Sequence, residues 1–396
     1  MKIGSAGSKH IKEIKELWKY CFKDSAEFVD YYFEKRYKKE NNMIVTDDSG
    51  KVQASLQLNP YTLKVDNKEK KAHYVVGVSV QPESRGLGYS SSLLKETLNC
   101  QYRNNEDISI LMPIDTDIYT KYGYINGFYR YEYSVDLANV KMRYSKYKVE
   151  RVNLEAIDKN KKLLLDLPEF YEENICDKFA YIQRDSDYFS KKLHELKVDG
   201  GDFFVVYDKD ELKGYMMLLS NKAEENAIVP EIMFDDKAAF DACMRVLKSH
   251  ITQFKTVSMV TPQHELFNYL INYDNKYKIT RKNFIMVRVI NARNILHETL
   301  KRSTVYKTRK YNIEITDSVI ADNNILEEFN HESDIQKELP YLNLDIADLA
   351  SLYMRTVNLD MLYKSKRIEF RKPEDKEFFE KLFVNEISEN YMNDFI

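Results

Sequence analysis

The stretch Val75-Val76-Gly77-Val78-Ser79-Val80-Gln81-Pro82-Glu83-Ser84-Arg85-Gly86-Leu87-Gly88-Tyr89-Ser90-Ser91-Ser92-Leu93-Leu94 decides the fold. Val75 to Val80 is β-branched and apolar on both faces, the pattern of a strand buried inside a sheet. Pro82 ends it, and Leu93, Leu94 and Leu98 then recur at helical spacing. Between them Gly86 and Gly88 permit positive φ and close backbone approach. Such a turn leaves the first N–H groups of the helix without intrahelical partners, at the positive end of the helix dipole. The spacing therefore reads as a phosphate cradle, suited to a pyrophosphate.

Working outward, 396 residues exceed one ordinary core, so two or three domains are expected. With 43% hydrophobic and 13% aromatic residues the chain can fill them. Thirty tyrosines stand against one tryptophan, and most belong on strand faces and domain contacts. A net charge of −3 gives no sign of a nucleic-acid binder. The basic run Lys301 to Lys310 reads as a solvated linker. Cys21, Cys100, Cys176 and Cys243 are widely spaced and the seven histidines form no ligand motif, so reduced thiols and no metal are expected. Met1 to Ser8 lacks a signal-peptide core, and no run approaches the roughly 18 apolar residues of a membrane span. A cytoplasmic protein without membrane partners is expected.

Residues 1–142 read as one α/β unit. Ile11, Ile14, Leu17, Trp18 and Cys21 share a helical face, and Asp24-Ser25-Ala26-Glu27 has the form of a capping box opening a second helix. Met43–Thr46 with Val52–Leu58, and Tyr61–Val65 with Ala72–Val80, read as two hairpins. A buried strand from Ile108, a brief helix at Asp117–Tyr122 and a strand at Phe128–Val135 follow. Residues 143–283 repeat this plan: Phe203 to Leu218 echoes the first hairpin in length and pattern. The corresponding strand-to-helix step, Glu231 to Phe240, has no glycine and places Asp235 and Asp236 where a phosphate would sit. From 284 to 396 the pattern changes, with strands at Phe284–Ile290 and Tyr311–Thr316 and helices opened by Asp345 and Pro373. The end, Tyr391-Met392-Asn393-Asp394-Phe395-Ile396, is apolar enough to dock.

The cradle resembles the acetyl-CoA signature of the GNAT superfamily, Arg/Gln-x-x-Gly-x-Gly/Ala, with Arg85 and Gly88 in the first two fixed positions and Ser90 in the third. Across its whole length the chain resembles the enhanced-intracellular-survival (Eis) family of acetyltransferases. The cradle, Ile118-Tyr119-Thr120-Lys121-Tyr122-Gly123-Tyr124 and the terminal Asn393-Asp394-Phe395-Ile396 carry that match. The resemblance implies an α/β protein of tandem GNAT domains: 1–142 binding acetyl-CoA, 143–283 a degenerate second unit, and 284–396 a sterol-carrier-protein-like domain. It implies that Val75–Val80 and Ile108–Met112 splay to admit the pantetheine arm, with Val78, Ser79, Val80, Arg85, Gly86, Leu87, Gly88, Tyr89, Ser90, Ser91, Ile114 and Asp115 around the cosubstrate.

The resemblance also implies direct transfer of an acetyl group to a primary amine on an aminoglycoside, polyamine or lysine side chain. Tyr119 would be the general acid and the main-chain carboxylate of Ile396 the general base. A phenol at pKa ~10 lies about 1.5 units above a thiol, so protonating the leaving thiolate is uphill by only about 2 kcal/mol. From sequence alone Tyr122, Tyr124, Tyr129, Tyr131 or Tyr133 could fill the same role. The α-carboxylate, near pKa ~3.5, needs burial to become a useful base. The last residue is isoleucine where an aromatic is expected, which bears on pocket shape more than on mechanism. Alternatives are a longer acyl or aminoacyl donor on the same frame, or a non-catalytic CoA- or lipid-binding protein. Family resemblance further implies a homo-oligomer, a hexamer.

Overall fold

The computed structural model describes residues 1–221, 225–271, 277–329, 339–384 and 386–394. The chain begins with β1 (Lys2–Ser5), α1 (Ile11–Cys21), α2 (Ala26–Tyr31), β2 (Asn42–Thr46), β3 (Val52–Val65), β4 (Lys68–Val80), α3 (Tyr89–Arg103), β5 (Ile108–Leu111), α4 (Thr116–Thr120) and β6 (Ile125–Asp136). It continues through β7 (Lys148–Arg151), α5 (Lys161–Ile175), β8 (Ala180–Ile182), α6 (Ser186–Val198), β9 (Asp202–Asp208), β10 (Glu211–Asn221), β11 (Asn226–Val229), β12 (Ile232–Phe234), α7 (Lys237–Ser249), β13 (Thr256–Val260), α8 (His264–Leu270) and β14 (Tyr277–Val289). A last part holds α9 (Ala292–Leu300), β15 (Tyr311–Thr316), β16 (Ile325–Phe329), β17 (Tyr341–Asp345), α10 (Ile346–Tyr353), α11 (Leu359–Lys364), α12 (Pro373–Leu382) and β18 (Asn390–Tyr391).

The first unit follows the expected order, except that an unexpected strand, β1, precedes the first helix and pairs with β2, and that two expected strands are one. Val52–Leu58 and Tyr61–Val65 are a single strand, β3, that passes through Pro60 and pairs with β4 from Ala54↔Val80 to Val65↔Lys68. Proline is tolerated because its missing N–H faces an unpaired edge. On that side β2 reaches only to Gln57 and β8 begins at Leu63. The cap of α2 is Ser25, one residue later than the expected Asp24-to-Glu27 box: Ser25 accepts from the Phe28 amide at 3.1 Å, while Asp24 accepts from Trp18 Nε1 at 2.8 Å. Asp66 and Asn67, both at positive φ, close the β3–β4 hairpin as a two-residue turn.

The units are joined within one sheet, in the order β1-β2-β3-β4-β5-β14-β6-β13-β11-β10-β9-β7. β14 lies antiparallel between β5 and β6, so the expected boundary between residues 283 and 284 falls inside a strand that completes the first unit's sheet. A separate sheet, β16-β15-β17, makes the third part. The run Lys301 to Lys310 is a turn region, as a linker should be, yet Arg302 is anchored on Asp66 (3.0 Å) and lies over the Phe179 and Tyr353 rings.

The C-terminal segment is threaded back between the first two units. β18 pairs in parallel with β8, which in turn pairs with β3. Tyr391 donates to Glu231 Oε2 (2.7 Å), and Arg184 forks onto the same carboxylate at 2.6 and 3.0 Å. Burial works against a charge on Glu231, but Arg184 and the hydroxyls of Tyr215 and Tyr391 hold its carboxyl below the ordinary range. Arg184→Met would leave that carboxylate buried without a cation. It should cost about 3–5 kcal/mol in chemical denaturation and free the tail to amide exchange from Asn390 onward.

Candidate functional site

The site begins where two parallel strands stop pairing. β4 and β5 pair from Ala72↔Ile108 to Val75↔Leu111, and there β5 ends while β4 runs on to Val80. Over that extension β4 is bulged. Ser55 faces Ser79 and Gln57 faces Val76, so Gly77 and Val78 together oppose Leu56. Gly77 has φ +62, and a Cβ there would lie 2.4 Å from both Gln57 Oε1 and the Trp18 ring. Only glycine fits, and the kink turns β4 away from its neighbour. This residue was not among the expected site positions. Its signal in the sequence is a lone glycine inside a β-branched run.

Beyond the bulge, Val78 is half-buried and Ser79 is buried with its hydroxyl on Ser55 O (3.4 Å). The Val80 carbonyl is engaged by Arg85 Nε at 3.4 Å, so Arg85 braces the turn's backbone and also lies over Tyr20. Gly86 and Gly88 both take left-handed φ, +81° and +82°. Gly88 is the N-cap of α3 and has no side chain to offer. Among the described residues the amides of Tyr89, Ser90 and Ser91 therefore meet no capping group, whereas Ser92 N already bonds Gly88 O (3.0 Å). Leu87 is exposed at the tip of the turn.

Asp115 caps α4 by accepting from Asp117 N (3.0 Å), and Ile114 beside it is 81% exposed. Asp115 thus fixes the helix that carries Tyr119, and Ile114 stands in solvent at the end of β5. Tyr119 is buried, its ring edge-on to Tyr124 at 6.2 Å, in the cluster that also contains Val75, Leu111 and Met286. Its hydroxyl makes no hydrogen bond among the described residues, whereas Tyr124 is engaged with Ser109 at 2.8 Å. Burial, then Tyr122, pushes the Tyr119 hydroxyl above the ordinary phenol range.

Ile396 lies outside the described residues. Asp394 is the last described residue, and it is buried: Tyr74 donates to its carbonyl (3.2 Å) and Tyr188 to its carboxylate. Tyr74 immediately precedes Val75, where the strand pairing ends. The described tail thus reaches β4 on the face opposite α3, beside Tyr61 (ring centroids 5.7 Å from Tyr74). Sequence reasoning singled out the tail but not these three tyrosines, which nothing in their local sequence distinguishes.

The second unit has a different turn at the matching place. Asp236 is the N-cap of α7 and accepts from Ala239 N (2.8 Å) and from the Tyr147 hydroxyl (2.7 Å), while Asp235 is paired with Lys213 (2.8 Å). A carboxylate already satisfies the first turn of this helix. Elsewhere, His264, Glu265 and Glu389 bring ligand-capable atoms within 4.8 Å, but His264 and Lys178 both pair with Glu389. Among the described residues no helix is long and apolar enough to cross a membrane.

Residues 2–126 match a family model described as an acetyltransferase (GNAT) domain, residues 180–289 a second model of the same description, and residues 288–392 a sterol carrier protein domain. No curated protein matches the chain. Among solved structures, a probable N-acyltransferase of unknown function from Enterococcus faecalis V583 is 17% identical with a TM-score of 0.78, covering 99% of both chains. A GCN5-related N-acetyltransferase from Anabaena variabilis is 18% identical at 0.78, and Eis1 from Mycobacterium abscessus 14% identical at 0.71, each covering 100% of both chains.

The two kinds of glycine in this site should respond differently to alanine. Gly77→Ala combines strain with overlap onto Trp18 and should cost about 2–3 kcal/mol and weaken any coenzyme A binding seen in a titration. Gly86→Ala meets nothing within 4 Å and should cost only the left-handed penalty, about 1–2 kcal/mol, in the same denaturation and titration experiments.

Proposed function

The chain belongs to the GNAT acetyltransferases, with the paired units and sterol-carrier domain of the Eis-like arrangement, and from that premise we propose that it transfers an acetyl group from acetyl-CoA to a primary amine. The observation that carries the donor half of this reading is the coincidence of two gaps. The sheet opens after Val75 and Leu111, and the same strand leads into a helix whose first amides are unclaimed. A pyrophosphate on the amides of Tyr89, Ser90 and Ser91 would let the pantetheine arm run along the free edge of Val76–Val80. Only the first unit offers this, since Asp236 fills the equivalent place in the second.

In the proposed reaction the amine nitrogen bonds to the acyl carbon and the carbon–sulfur bond breaks. The Tyr119 hydroxyl gives its proton to the departing sulfur, and the main-chain carboxylate of Ile396 takes one from the amine. The burial of Tyr119 keeps it protonated at the pH values where amines begin to lose their charge. The docking of Asn390 to Asp394 supports the base assignment, because it brings the described tail onto Tyr74, beside the point where β4 and β5 part.

Tyr119→Phe should lower kcat by about 100-fold or more with acetyl-CoA affinity nearly unchanged. Because burial raises the Tyr119 pKa, the wild-type alkaline limb should lie above that of an ordinary phenol and be missing in the variant. An enzyme extended beyond Ile396 should keep its thermal stability and lose thiol release. Full activity in that extended form would remove the terminal carboxylate from the reaction.

A further inference from the structure

On the α1–α2 face of the first unit a cavity of about 530 Å³ opens where β3 lacks a neighbour between β2 and β8. Tyr61 and Tyr188 line it, and behind them lies Asp394. The cavity therefore backs onto the place where β4 and β5 part, since Tyr61 touches Tyr74.

The charges around this cavity are mostly satisfied. Lys35 pairs with Glu34 (2.8 Å), Arg36 with Glu195, Lys191 with Asp187, and His73 with Glu106 (2.8 Å). Asp185 is used as the N-cap of α6, accepting from Tyr188 N at 2.7 Å. Two lysines remain, Lys38 and Lys71, both exposed at the mouth and without an ion pair among the described residues. Behind Tyr61 and Tyr188, outside the cavity's own lining, the pattern reverses. Asp394 is 1% exposed and has no cation within ion-pair distance among the described residues, and its Oδ2 has no hydrogen-bond partner. Asn59, 8% exposed on the cavity wall, has an amide nitrogen that is likewise unpartnered.

Buried polar atoms without partners carry a desolvation cost that a ligand can relieve. Here a lone carboxylate oxygen sits deep and two free ammonium groups sit at the mouth. We infer that the acceptor is a primary amine bearing its own anionic group, a carboxylate or a phosphate, with its nitrogen directed to Asp394 and its anion to Lys38 and Lys71. This rests on the acyl-transfer reading and narrows it. A polycation would meet the lysines before it met the carboxylate, and like charges at a site mouth slow and weaken association.

The test uses the full-length protein with matched amines: lysine against cadaverine for a carboxylate, and phosphoethanolamine against ethanolamine for a phosphate, with an aminoglycoside as the polycation. Thiol release from acetyl-CoA gives kcat/KM, and calorimetry gives binding. The anionic member of at least one pair should be favoured by about 10-fold or more, and the pair that responds identifies which anion is read. Lys38→Glu combined with Lys71→Glu should cancel or reverse that preference, and Asp394→Asn should raise KM for every accepted amine. Equal or better use of cadaverine, ethanolamine and the aminoglycoside, or a preference indifferent to charge reversal, overturns the inference while leaving acyl transfer intact. Lysine or phosphoethanolamine binding that is lost on charge reversal, with no thiol release from any amine, overturns acyl transfer and with it the acceptor assignment, leaving only an anionic-amine binding site. Failure of both anionic amines to bind or react overturns it outright.

Discussion

The loss of pairing between β4 and β5 after Val75 and Leu111 is the constraint on which the rest of the structure depends. A parallel pair inside a sheet is normally continuous, because unpaired N–H and C=O groups in a buried edge are costly. Here the bulge at Gly77 and Val78 bends one strand while the other simply ends, followed by Pro113, which has no N–H to offer. The opening is bordered by the uncapped helix α3 on one face and by the tail on the other.

The two halves of the molecule differ at the corresponding turn for a simple electrostatic reason. A helix N-terminus holds several donors and a partial positive charge, and whichever acceptor lies closest takes them. In α7 that acceptor is the chain's own Asp236, whereas in α3 glycine supplies none. One residue type at the cap thus separates a turn that is closed by its own side chain from one that is available to a ligand.

Burying so many tyrosines costs hydrogen-bond partners, and the structure supplies them where units meet. Tyr31 reaches the Lys191 carbonyl (2.9 Å), Tyr133 that of His264 (3.2 Å) and Tyr391 the Glu231 carboxylate (2.7 Å). Each is an apolar ring with one directional bond at its tip, which fixes register between packed elements better than an aliphatic side chain would. The chain's tail is held by the same chemistry, through Tyr74 and Tyr188 onto Asp394.

What the sequence by itself determined is whatever depends on neighbours in the chain. The buried strand before Pro82, the two glycines of the turn, the helix after them and the repeated plan in the second unit were all legible, because periodicity and capping are local properties. So was the carboxylate at the start of α7, where Asp236 caps the helix, since a cap lies within three residues of its target. The tertiary structure alone decided the rest. β14 fills a place in the first unit's sheet from more than 140 residues further along the chain than β6 begins, and no local pattern encodes which strands become neighbours. The two strands expected at Val52–Leu58 and Tyr61–Val65 are one, because the free edge beside Pro60 lets β3 run through. The pairing of Asp394 with Tyr74 and Tyr188, separated from it by 320 and 206 residues, exists only because the folded sheet brings its edge and the returning tail to one point.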